Sequence, residues 1–134
     1  MTIVVWVCAV LAGVLHVVVF CWESLLLHRR FVHEKVFATP REDLPAIRLW
    51  SFGLGFYNLF LGLGAIAGVG FWALGDPVVG RTLVVYTCLF MVLCAVVLLV
   101  ADRMALGRPR GAGLGGVVSQ GLLPLVALVV TWLT

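Results

Sequence analysis

Four apolar runs, each long enough to cross a bilayer, constrain this chain more than any other feature. They cover Thr2 to Leu27, about Ile47 to Leu74, about Thr82 to Ala101 and about Gly113 to Leu133. Crossing the hydrocarbon core takes about 20 apolar residues in a helix. Backbone N–H and C=O groups have no water to bond in hydrocarbon, so only helices and closed barrels satisfy them there. Barrel strands alternate apolar and polar residues, and none of these runs alternates. The expected fold is therefore all-α, an integral membrane bundle of four helices forming one domain over residues 1–134. Composition agrees: 63% of residues are hydrophobic and 11% charged, far from the roughly 25% charged of a soluble domain. The first run has no basic residue before it and no small-x-small site after it, so it reads as a span and not as a cleaved leader.

The loops carry the boundary signals. Thr39-Pro40-Arg41-Glu42 has the spacing of a capping box with proline at the first helical position, so a helix is expected to begin at Pro40 and project beyond the membrane before entering it. Asp76-Pro77 has the form of an N-cap followed by a first-turn proline. Gly107, Pro109 and Gly111 stop the third helix. Pro124 removes a backbone donor inside the fourth and is expected to kink it.

Of the nine basic residues, eight fall in two places. Arg29, Arg30, Lys35, Arg41 and Arg48 surround the first loop, and Arg103, Arg108 and Arg110 the third. Only Arg81 stands in the second. Basic loops stay in the cytoplasm, so both termini are expected outside. The net charge of +3 is thus an insertion signal and not a mark of nucleic-acid binding. Trp6, Trp72 and Trp132 fall towards one membrane surface, and Trp22 and Trp50 towards the other, as an aromatic belt does.

Polar residues inside spans are costly and each needs an account. His16 is the deepest ionisable group. Glu23 lies seven residues on, two turns along the same face and about 10 Å away. Its plainest partner would be Arg29, Arg30 or Arg48. Tyr57 and Asn58 sit near the middle of the second span, and Gln120 in the inner half of the fourth. His16, Glu23, Tyr57, Asn58 and Gln120 could form one internal polar cluster, either structural or ligand-binding. Glycines concentrate in the second span, and the Gly64/Gly68 pair has the small-xxx-small spacing that lets helices approach closely; it suits a neighbouring helix or a partner protein. Cys8, Cys21, Cys88 and Cys94 lie inside spans without CxxC spacing and read as small apolar fillers. A transmembrane haem would need a second deep histidine, whereas His28 and His33 belong to the loop, and His33-Glu34 lacks the i, i+4 partner of a zinc motif. No metal or catalytic residue is assigned and no cofactor is expected, though a bound lipid or quinone tail is compatible with the spans.

His16 through Glu23, Lys35-Val36-Phe37, Gly55-Phe56-Tyr57-Asn58 and Gln120-Gly121-Leu122-Leu123-Pro124 occur in one order that resembles the bacterial inner-membrane family catalogued as domain of unknown function number 1304. The resemblance covers nearly the whole chain. It implies four spans and a polar cluster, and no activity. This chain departs from the pattern at Gly53-Leu54, where an Asn-Gln pair is usual, and at Leu59, where glycine is usual. Three functions are open at this point. The first is a non-enzymatic accessory subunit or binding module of a larger membrane complex, respiratory or cell-envelope. The second is a small proton-coupled transporter working through Glu23. The third is a lipid- or quinone-binding membrane enzyme.

Overall fold

A computed structural model describes residues 1–133. Four helices form the bundle: α1 (Thr2–Phe20), α2 (Leu44–Leu74), α3 (Pro77–Arg103) and α4 (Leu114–Trp132). No strand occurs among the described residues. All four helices are long and apolar enough to cross a membrane. Sequential helices pack as neighbours and α4 closes the ring on α1, the arrangement short loops impose on antiparallel helices.

The core is built mostly from small residues, with Met91 the largest side chain fully buried in it. Val5, Ala9, Val84, Cys88, Ala127 and Leu128 form one buried cluster, and Ala12, Ala65 and Met91 another beside it. Lipid tails are as apolar as these side chains, so close packing and polar contacts, more than the hydrophobic effect, must hold the helices together. A Cβ on Gly80 would strike the Trp72 backbone where α3 meets α2, and Gly13 and Gly62 bring the backbones of α1 and α2 together. A Cβ on Gly13 would stand 2.7 Å from the Gly62 carbonyl oxygen, and one on Gly62 would stand 2.5 Å from that of Gly13. The Gly64/Gly68 pair is also used within the bundle, facing Thr87 and the Leu83–Val84 stretch of α3.

The helix ends follow local chemistry. Asp76 Oδ1 accepts from the Val79 N–H at 3.0 Å with Pro77 in the first turn, so α3 starts five residues before its apolar run. Gly75 closes α2 at a φ of +118°. The start of α2 differs from expectation. The capping box at Thr39 does not form. The Thr39 N–H donates to the His33 carbonyl and its hydroxyl to the Phe37 carbonyl, while the buried His33 ring donates from Nδ1 to the Thr39 carbonyl at 2.9 Å. Thr39 is thereby committed to the preceding turn. Pro40 stands in extended backbone, a 3-10 turn covers Arg41–Asp43, and α2 begins at Leu44 with a proline in its own first turn. Pro124 lies buried within a helix that continues to Trp132.

At the same end, Asp102 organises the loop between α3 and α4. It is buried, and its two oxygens accept from the Gly111 N–H at 2.8 Å and the Gly113 N–H at 2.7 Å. Gly113 is the residue that caps α4. Arg108 then reaches across to the Phe37 carbonyl at 3.4 Å, tying the two basic loops together. Asp102→Ala would strand two backbone donors. A lower unfolding midpoint and faster proteolysis between residues 104 and 113 are expected, with Asp102→Asn recovering part of the loss. An unchanged digestion pattern in Asp102→Ala would remove the loop-organising role.

Candidate functional site

The site grows from the way α1 ends. The buried residues Val5, Ala9, Ala12, His16 and Val19 mark its inward stripe, and the same spacing continues to Glu23. From Cys21 to Leu25 the helix widens into a π-turn, a feature that frees backbone groups for outside partners and often marks functional positions. The partners come from α2. Ser51 donates its hydroxyl to the Glu23 carbonyl at 3.0 Å, and Ser24 donates to the Phe52 carbonyl at 2.9 Å. Between them Gly55 presents bare backbone, where a Cβ would strike the Ser24 hydroxyl. Farther along α2, Asn58 Nδ2 donates to Glu23 Oε2 at 2.8 Å and to the Leu54 carbonyl at 3.2 Å. Helical side chains lean towards their own N-terminus. In this antiparallel pair Glu23 leans into the bundle and Asn58 leans back to meet it. Phe20 and Phe56 stack edge-on alongside, with centroids 5.0 Å apart.

Glu23 therefore has an amide partner and not a basic one. Arg30 is turned away to Glu34, one helical turn on, with Nε 2.8 Å from Oε2. That hydrogen bond holds the Glu34 carboxyl below the usual carboxylate range and raises Arg30. Neither Arg29 nor Arg48 pairs with Glu23 among the described residues.

The other intramembrane polar residues divide. His16 is buried and donates from Nδ1 to the Ala12 carbonyl at 2.8 Å, so its first partner is its own helix. A carbonyl can only accept, which places the proton of a neutral ring on Nδ1 and leaves Nε2 as an acceptor. Gln120 is half-buried, one turn before the buried Pro124 on α4, and its side chain makes no hydrogen bond among the described residues. Tyr57 stands apart from the cluster: it is 66% exposed on the outer face of α2. Consecutive helical residues point about 100° apart, so Asn58 facing inward turns Tyr57 outward. The structure thus joins Glu23 to Asn58, sets His16 on the same inward stripe of α1, and leaves Tyr57 outside. Ser24, Ser51, Gly55 and Asp102 belong to the polar architecture and were not anticipated. For the α2 residues, the i, i+4, i+7 spacing of Ser51, Gly55 and Asn58 is the signal that could have found them.

The arrangement holds one Glu23 oxygen and leaves Oε1 without a hydrogen-bond donor among the described residues. No three His, Cys, Asp or Glu side chains gather as a metal site among those residues. The geometry is that of a clamp between α1 and α2 with a free carboxylate edge.

Fold and site together define a class, a four-helix integral membrane bundle with an intramembrane carboxylate–amide pair. Within that class the chain belongs to the family described as protein of unknown function (DUF1304), whose model matches residues 10–132. Comparison with curated proteins and with solved structures gives no match.

Proposed function

We propose that this protein is a non-catalytic membrane subunit, an accessory or binding module of a larger assembly in the bacterial cytoplasmic membrane. The observation that carries this reading is Tyr57. It lies two residues from the midpoint of α2, within about 3 Å of it along the axis, two-thirds exposed and without a hydrogen bond among the described residues. A hydroxyl facing hydrocarbon loses water's hydrogen bonds and gains none, and a partner helix would supply an acceptor. Phe60, also exposed, lies nearby, and Gly53, one turn before Tyr57, has open space where a Cβ would be. A close helix approach is sterically free there. Both termini are assigned to the outside, because eight of the nine basic residues gather at the end that carries the first and third loops, and basic loops stay in the cytoplasm.

Photo-crosslinking in intact cells tests the reading. A photoreactive phenylalanine in place of Phe60 should give one discrete protein adduct, which Tyr57→Phe weakens. The same probe in place of Val97, 67% exposed on α3, should label lipid. Lipid adducts alone at both sites would overturn the subunit reading. In a cysteine-free background, Arg30→Cys should label only from the cytoplasmic side.

One observation favours a second reading. The free Oε1 of Glu23 suits a proton-coupled transporter, in which a buried carboxylate exchanges its proton for a cation. The lipid- or quinone-binding enzyme has less support, since the partner of Glu23 is an amide and His16 is bonded to its own helix.

A further inference from the structure

The end of the bundle opposite the basic loops holds a cleft of about 660 Å³ between the last turn of α2, the first turns of α3 and the end of α4. Arg81 is the one charged residue that lines it. Trp72 and Trp132 wall it, and Val85, Tyr86 and Leu89 carry it down α3. Arg81 lies nine residues from the midpoint of the 27-residue α3, about 13 Å along the axis. That is close to the edge of a hydrocarbon core about 30 Å thick.

A cation at this depth needs partners, and the protein supplies one. Arg81 Nη2 donates to the Thr131 carbonyl at 3.0 Å. The only ion pair among the described residues joins Arg30 and Glu34, at the other end. Asp76, the nearest acidic residue in sequence, has Oδ1 engaged by the Val79 N–H. Most of the guanidinium donors are therefore open, above an apolar floor that reaches Leu89 about 12 Å deeper.

We infer that this cleft binds an anionic phospholipid, with its phosphate on Arg81 and an acyl chain along Val85 and Leu89. The charge selects an anion, and the planar donors of arginine suit phosphate oxygens. The apolar floor selects a ligand with a hydrocarbon tail, which a water-soluble anion lacks. The inference does not depend on the subunit reading above.

Anionic lipid will also collect at the eight basic residues of the far end, so the test must be local. In a Trp22→Phe, Trp50→Phe background the remaining tryptophans, Trp6, Trp72 and Trp132, all belong to the cleft end. Phosphatidylglycerol with brominated chains should quench their fluorescence at a several-fold lower lipid fraction than brominated phosphatidylcholine does in mixed micelles. Arg81→Gln should bring the two lipids to parity, and Arg81→Lys should keep part of the preference. Equal quenching by both lipids in the parent protein, a measurement that needs no Arg81 variant to fold, would overturn the inference. So would an unchanged preference in a folded Arg81→Gln protein, or full displacement of the brominated lipid by inorganic phosphate alone.

Discussion

Gly62→Leu is expected to lower the unfolding free energy by about 1–3 kcal/mol from overpacking alone. The atom that a Cβ at position 62 would strike, at 2.5 Å, is the Gly13 carbonyl oxygen. It belongs to a helix backbone, so no rotamer change relieves the clash and α1 must move off α2. That movement also strains the bonds farther along the same interface, from Ser24 to Phe52, Ser51 to Glu23 and Asn58 to Glu23, each worth about 0.6 kcal/mol in a membrane. Gly70→Leu is the matched control, since open space surrounds that position, and its change should stay within about 0.5 kcal/mol. Unfolding of the purified protein by titration with sodium dodecyl sulfate measures both. Equal midpoints for Gly62→Leu and Gly70→Leu would show that the α1–α2 contact is looser than the structure has it.

The second large effect is expected at Asn58, and its sign against Glu23 is the informative part. Asn58→Leu removes the donor from a half-buried carboxylate. Leaving a buried acceptor unsatisfied costs about 1–3 kcal/mol. Glu23→Gln keeps a carbonyl oxygen for the Asn58 amide and removes only the charge, so stability should change by no more than about 0.5 kcal/mol. In the double variant the two costs should not add, because both single changes act on one bond. A Glu23→Gln protein destabilised as much as Asn58→Leu would mean that the charge, and not the amide contact, holds the clamp. The same variants separate the functional readings. A transporter working through Glu23 loses proton-coupled cation uptake into vesicles in Glu23→Gln, whereas a subunit keeps its Phe60 crosslink.

The two ends of the Glu23–Asn58 bond were both legible as candidates, and the bond itself was not. Asn58 could be singled out because a primary amide is rare and costly in a span, and Glu23 for the same reason. Their pairing depends on the π-turn at Cys21–Leu25 and on Gly55 letting Ser24 reach the α2 backbone. The π-turn has no signal in a run of apolar residues, and the spacing of Ser51, Gly55 and Asn58 puts them on one face of α2 without telling which helix meets that face. Asp102 escaped notice because it follows the third apolar run and looks like one more loop charge. Its burial comes from Gly111 and Gly113 folding back over it. The Thr39 capping box failed for the converse reason. The motif was present, but His33 and Phe37 hold the Thr39 groups in the preceding turn, and a local pattern does not register that competition.

What the sequence determined by itself is what lipid imposes on each segment separately: four helices, their approximate lengths, the Asp76 cap and the gathering of basic residues at one end. A span must be apolar and must bond its own backbone, and both demands act within about 20 consecutive residues. The tertiary structure alone decided which face of each helix turns inward. Where a helix is apolar on every side, no polar stripe separates the face towards lipid from the face towards the core. The choice between Tyr57 and Asn58, adjacent in the chain and about 100° apart on α2, therefore rested on contacts with another helix. The fit of Gly13 against Gly62 and the reach of Glu23 to Asn58 turned the amide inward and the phenol out.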